Sequence, residues 1–387
     1  MAEKITCITG GKIILEDKIL SNKVLLFNEK IVDILDEENL EKKYSTVEFK
    51  TINAYGKFVS PGFIDIHIHG SGGKDVMDAT TEDLEIISET IAKSGVTGFL
   101  PTTMTMEMKK IVEALDTVKI AMKENISGAK ILGVHMEGPF ISKKFNGAQN
   151  KEYSVKPEVL LIKEYLDIIK IITLAPEEDF QFEFIRSMKK ISDVVLSMGH
   201  TNSDYETAME AIDAGISNAT HIFNAMPPFH HRFPGPVGAV LKSDICFELI
   251  ADTVHIHPAV FQILLNAKGK EKMILITDSM RAGSMNDGIW ELGGQEVFVG
   301  DDSARLADGT LAGSVLTMNK AVFNMIKHTN LEIFEAVSLA SINPAKLLKI
   351  DKFKGSIEIG KDADLIIFDE ELEVELSVLE GKIIYRI

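Results

Sequence analysis

The sequence predicts a (β/α)8 barrel of the TIM type, with a small β-sandwich domain formed from both chain ends. Three observations carry this reading. Eight short apolar runs occupy the middle of the chain, spaced at about the length of a strand–helix repeat. Amphipathic stretches separate them. β-rich segments gather at the two termini, and neither terminal group is long enough to bury a core alone.

The first segment, residues 1–58, reads as strands at 5–9, 12–15, 24–27 and 31–35, punctuated by Gly, Asp, Asn and Glu turn signals. The apolar runs of the barrel, residues 59–350, fall at 62–66, 97–100, 131–134, 171–174, 194–197, 217–220, 246–250 and 273–276. Between them, Thr80-Thr81-Glu82-Asp83 opens a helix with Leu84, Ile87 and Ile91 on one face. Ser203-x-x-Glu206 reads as a capping box ahead of a helix that ends at Gly215. Met104, Met106 and Met108 alternate near a helix start, as packing residues. Segments 363–368, 374–379 and 382–385 are again β-rich, with Glu380-Gly381 as a tight turn, so residues 351–387 are expected to join 1–58 in one sandwich. An open doubly wound sheet would want a Gly-rich phosphate loop after its first strand, and the sequence has none.

Charge and composition exclude several function classes. The 387 residues carry a net charge of −17, a field that repels nucleic acid and anionic lipid, so neither is an expected partner. Two distant cysteines, Cys7 and Cys246, make neither a disulfide framework nor a zinc spacing, which favours a cytoplasmic location. No signal peptide is read behind Met1-Ala2-Glu3-Lys4, and no apolar run approaches the roughly 20 residues of a membrane span.

The chemistry is written after the apolar runs. The first ends in Asp65-Ile66-His67-Ile68-His69, the third in His135-Met136-Glu137, the fifth in Gly199-His200 and the sixth in Thr220-His221. The seventh leads to Asp252 and His255, and the eighth ends in Thr277-Asp278. A barrel collects the C-terminal ends of its strands at one mouth, so these groups are expected around one cavity. Imidazole and carboxylate suit a divalent transition metal. Strand geometry turns His67 and His69 to one side, yet that pair alone reads equally as a polar strand end. His200 alone reads as a hydrogen-bonded structural histidine, and Glu137 alone as a cap or salt-bridge residue. Five metal-competent residues after four strands, with Asp278 opposite, favour a metal site. A carboxylate at Asp278 can take the proton of an activated water and return it to a leaving amine; the alternative is a first-turn helix cap.

These motifs resemble the amidohydrolase superfamily. The runs from Pro61 to Gly70, His135 to Phe140, Gly199-His200-Thr201, Thr220 to Met226 and Thr277-Asp278 are similar to the family of N-acetylglucosamine-6-phosphate deacetylases, nearly end to end. The resemblance implies a metal-dependent amide hydrolase with one or two divalent ions per subunit, Zn2+ or Fe2+. Glu137, His200 and His221 would hold the principal ion and His67 and His69 a second. Glu137 would take the bridging place that a carboxylated lysine fills elsewhere. Asp278 would be the catalytic base and acid, also touching metal. A phosphorylated amino sugar would be gripped by Ala148, Gln149, Asn224, Ala225, Arg232, His255, Leu311, Ala312 and Gly313. Gln149 stands where some members have histidine. Arg232 lies in the basic run His230-His231-Arg232 and can fork onto phosphate; Asn224 can instead be a turn residue before Pro227. A homodimer is implied, with phosphate ligands able to cross between subunits. Two rival readings share the same barrel: a hydrolase of cyclic amides or nucleobases, and a non-catalytic metal-binding scaffold.

Overall fold

Strands that are apolar throughout must be covered on both faces, and a closed parallel barrel ringed by helices does this. The computed structural model describes residues 5–387. Its barrel strands are β1 (Phe63–Ile68), β2 (Val96–Thr103), β3 (Val134–Glu137), β4 (Ile169–Leu174), β5 (Val195–Met198), β6 (Asn218–Ala219), β7 (Phe247–Ile250) and β8 (Met273–Ile276). Pairing is parallel from β1 through β6 and again between β7 and β8. Two seams close the ring through a few backbone bonds each. Ala219 N–H donates to Cys246 C=O (3.0 Å) between β6 and β7, and Asp278 N–H donates to His67 C=O (2.9 Å) between β8 and β1. All eight apolar runs are strands or contribute to one, with ends moved by a few residues.

Neighbouring residues on a barrel strand face opposite ways. On β7, Phe247 packs in the main hydrophobic core, while Glu248 accepts a hydrogen bond from His67 Nδ1 (2.9 Å) inside the barrel; both are fully buried. Phe247→Ala is expected to cost about 3–5 kcal/mol of stability, read as a lower denaturant midpoint.

The helices follow their start signals with one correction. Thr80 caps Thr81–Ala92, its hydroxyl accepting from Asp83 N–H (3.1 Å), and Leu84, Ile87 and Ile91 are buried. The capping box at Ser203 does not form. Asp204 caps Tyr205–Ala214 instead, accepting from Thr207 N–H (2.8 Å). The Ser203 hydroxyl lies 2.8 Å from that of Thr201, and an ionised carboxylate is the stronger acceptor for a helix N-terminus. No helix starts at Asp278: Met280 N–H bonds Ser314 C=O (3.0 Å) and the chain turns away from helical geometry.

Two sheets combine the chain ends. One orders Ile31–Asp36, Lys23–Phe27, Ile5–Thr9 and Phe49–Asn53. The other orders Lys382–Arg386, Val374–Leu379, Leu365–Phe368, Phe58–Pro61, Lys12–Ile14 and Ile19–Leu20. Ile8, Leu25 and Phe27 from the first share a buried cluster with Ile13, Val59, Leu365 and Ile367 from the second. The expectation of no signal peptide falls on Met1–Lys4, which lie outside the described residues. Among the described residues no helix is long and apolar enough to cross a membrane. Cys7 and Cys246 are both free thiols.

One element was not read from the sequence. A three-stranded antiparallel arm, Gly288–Leu292, Gln295–Gly300 and Ser303–Arg305, rises between β8 and the helix Met318–His328. Its Leu292, Val297, Val299 and Ala304 pack on Met104, Met280 and Ala312.

Candidate active site

The barrel strands β1, β3, β5, β6 and β8 each deliver a polar residue to the same mouth. His200, His221 and Asp278 stand just past strand ends with φ of 46°, 29° and 47°. Such backbone is costly for residues with a Cβ and is held here by the surrounding structure. These turns aim His200 and His221 at Glu137 and Asp278 at His67 and His69. Glu137 Oε1 lies 3.0 Å from His200 Nε2, 2.9 Å from His221 Nε2 and 3.5 Å from His67 Nε2; its Oε2 lies 3.2 Å from His69 Nε2. Asp278 Oδ1 faces the same imidazoles, 3.5 Å from His67 Nε2 and 3.3 Å from His69 Nε2.

The outer ring nitrogens of His67, His69 and His200 are already engaged, which leaves Nε2 as the inward atom, while the buried Nδ1 of His221 has no partner among the described residues. His67 Nδ1 faces Glu248, His69 Nδ1 faces Thr102 C=O (3.2 Å) and His200 Nδ1 faces Phe145 C=O (3.1 Å). Consequently His200 and His221 Nε2 lie 3.1 Å apart, and His67 and His69 Nε2 3.3 Å apart. Two imidazole nitrogens at that distance need a proton or a cation between them. Ligand atoms of Glu137, His200 and His221 form one metal-competent group and those of His67, His69 and Glu137 another. This mixed N/O donor set, buried and bearing two carboxylates, fits a divalent transition ion.

The charges are strongly coupled. Burial opposes ionisation of Glu137, but His200 and His67 hold its carboxyl well below the usual range. Burial likewise opposes the Asp278 carboxylate, yet His67 and His69 bring it down to about 2. Burial works against a charge on His67, and Glu137, Asp278 and Glu248 outweigh it, raising it to about 9. Beneath the cluster, burial pushes Asp65 up to about 7 against the hydroxyl of Thr277, which donates to it (2.6 Å) and ties β1 to β8. A third grouping, His67, His135 and Glu248, lies below the mouth. There His135 is hydrogen-bonded at both nitrogens, to Ile66 C=O (2.9 Å) and the Thr173 hydroxyl (2.7 Å).

A cavity of about 370 Å3 opens above the cluster. His69, Glu137, His200, His221 and Asp278 line its floor, while His67 is fully buried behind it. Ala148, Gln149, Asn224, Ala225, His255, Leu311 and Gly313 line the walls. Two expected contacts lie elsewhere. Ala312 is buried behind the wall in the core under the arm. Arg232 is exposed in a turn, its Nη1 2.8 Å from His231 Nε2, and does not line this cavity. Gln149 is turned down: its amide donates to Glu137 and its oxygen accepts from Thr105 N–H (2.7 Å). His255 Nδ1 is held by Asp252 (2.6 Å).

Glu248, Leu292 and Arg305 were not read as site residues. Glu248 did carry a signal, an acid inside the apolar run Phe247-Glu248-Leu249-Ile250. It accepts from His67, from Asn218 Nδ2 (3.0 Å) and from His221 N–H (3.4 Å). Glu248→Gln removes the anion behind His67 and is expected to lower metal occupancy or turnover about 10- to 100-fold, read by metal analysis and kcat.

Residues 58–384 match the Amidohydrolase family. The chain is 44% identical over 382 residues to the N-acetylglucosamine-6-phosphate deacetylase of Bacillus subtilis (strain 168), covering 96% of this chain and 95% of that one. Its fold superposes on the crystal structure of N-acetylglucosamine-6-phosphate deacetylase from Pasteurella multocida with a TM-score of 0.92, at 30% identity, covering 98% and 99% of the two chains. It also superposes on a mutant N-acetyl-D-glucosamine-6-phosphate deacetylase from Mycobacterium smegmatis, solved in complex with N-acetyl-D-glucosamine-6-phosphate. That match has a TM-score of 0.90 at 27% identity, covering 99% and 100%.

Proposed function

The chain belongs to the amidohydrolase family, and from that premise we propose that it hydrolyses the acetamide of N-acetylglucosamine 6-phosphate to acetate and glucosamine 6-phosphate. The observation that carries this is the Glu137–His200–His221 group on the floor of a ligand-sized cavity, with Asp278 facing it. Glu137, His200 and His221 would hold the principal ion and His67 and His69 a second, Zn2+ or Fe2+. When bound, such an ion supplies Lewis acidity for activating water and polarising an acyl oxygen.

The chain's own groups do the rest. Asp278 is ionised and aimed at the cluster, so it accepts the proton that water loses and delivers it to the departing sugar nitrogen. A carbon–oxygen bond forms at the acetyl carbon, the carbon–nitrogen bond breaks, and the amine leaves protonated. Asn224, Ala225 and Ala148, with the backbone at Leu311–Gly313, orient the sugar, and the burial of the floor keeps bulk water from the reacting atoms. Gln149 steadies Glu137 through its amide. His255 faces the phosphate end from the wall.

Arg232 sits on an exposed turn and does not line its own cavity, so we infer a homodimer in which it enters the neighbour's. Phe229 and Phe233, 51% and 74% exposed beside it, supply the apolar surface for such a contact. Mixing an Asp278→Asn chain with an Arg232→Ala chain is then expected to restore about a quarter of wild-type activity once subunits exchange, since half the dimers gain one complete site. No gain on mixing would place Arg232 outside the reaction. The two free thiols support a reducing, cytoplasmic setting. The direct test is acetate release from the phosphorylated sugar by metal-loaded protein, with cyclic amides alongside; activity on the cyclic amides alone would overturn the proposal.

A further inference from the structure

Asp278 stands on a turn beyond the end of β8, at φ 47°, so its aim depends on whatever holds that turn. Two sides hold it. On the β1 side, Asp278 N–H donates to His67 C=O (2.9 Å), and the N–H groups of His69 and Gly70 both donate to Ser279 C=O (2.9 Å each). On the other side runs a short strap, residues 311–316, with Ser314 buried at its centre. Ser314 N–H donates to Asp278 C=O (2.7 Å), and its C=O accepts from Met280 N–H (3.0 Å). Its hydroxyl donates to Thr277 C=O (2.5 Å) and accepts from Leu316 N–H (3.0 Å). Gly313, at φ 62°, permits this approach: a Cβ there would meet Asp278 C=O at 3.0 Å and Met280 Cβ at 3.3 Å.

Ser314 thereby grips the peptide groups on both sides of the Asp278 Cα. Peptide groups are planar, so fixing the two that flank a Cα fixes its φ and ψ and the direction of its side chain. The same strap carries part of the cavity wall. Leu311 and Gly313 line the cavity, and Ala312 N–H donates to Ala304 C=O (3.0 Å), which pins the strap to the arm. Base and sugar-facing wall are therefore set by one segment. Of the bonds Ser314 makes to this turn, the one to Thr277 C=O alone belongs to its side chain, and a substitution can remove it while the backbone bonds stay.

We propose that Ser314 is a positioning residue for Asp278, its hydroxyl holding the Thr277 peptide so that the carboxylate meets the reacting water and amine. The inference rests on the base assigned above. In metal-loaded protein, Ser314→Ala is expected to lower kcat for N-acetylglucosamine 6-phosphate about 10-fold, with KM and metal content changing less than about twofold. In an Asp278→Asn background the same change should cost less than about twofold, because no base remains to be misaligned. A merely structural hydroxyl would cost the same fraction in both backgrounds. Should Ser314→Ala fail to fold, Ser314→Cys, similar in shape with a weak donor, carries the same comparison. Equal fractional losses in the two backgrounds, a loss carried by KM, or an unchanged kcat would overturn the role of Ser314 alone. Near-normal turnover in Asp278→Asn by itself would remove the base, and this inference with it.

Discussion

Asp278→Asn is expected to lower kcat by about 10^2- to 10^4-fold, the range a positioned acid–base group contributes, while leaving the fold intact. The substitution is unusually clean at this position. The residue sits at φ 47°, where asparagine is among the best tolerated side chains. Its backbone bonds to His67 C=O and from Ser314 N–H survive, so the β8–β1 seam stays closed. The amide keeps the shape but cannot take a proton. Turnover of wild type and variant should be compared at equal metal content, because Asp278 also faces His67 and His69. Near-normal turnover in a metal-matched variant would remove Asp278 as the base.

Glu137→Gln is expected to be at least as severe, through a different route. Its two oxygens face four imidazoles, and among the described residues no other carboxylate touches both histidine pairs. Removing its charge leaves His200 and His221 without the anion that binds a cation between them. Metal content should fall, and with it a contribution of several kcal/mol to the barrier, on the order of 10^3-fold or more in rate. Chelation of wild type should reproduce the loss and divalent metal should reverse it; in the variant, added metal should recover little. Full metal content in Glu137→Gln would move the principal site elsewhere.

Much of this was legible in the sequence because barrel strands are buried on both faces and therefore stay apolar up to the residue that faces the mouth. His67, Glu137, His200, His221 and Asp278 stand out at the ends of such runs. Three features were less legible, each for a physical reason. Glu248 lies inside its run, where a charge would be rejected without His67 and Asn218 to pair it, and those partners come from β1 and β6. Arg305 sits on an arm whose short strands alternate exposed and buried positions, a weak pattern beside eight solid runs. Arg232 does belong to a basic cluster, but composition cannot say whose cavity a turn reaches. At Ser203, one residue separated two acceptable caps, and the neighbouring Thr201 hydroxyl decided between them.

The pairing of Leu365–Phe368 with Phe58–Pro61 has a consequence for biosynthesis. The N-terminal partner leaves the ribosome about 300 residues before its mate, which at roughly 5–20 residues per second is about 15–60 s of translation. Through that interval the nascent chain displays an apolar sheet edge with nothing to mate it. Chaperone holding or a slow translation stretch would act there, and loss of even the final few strands would leave an aggregation-prone product with an otherwise complete barrel.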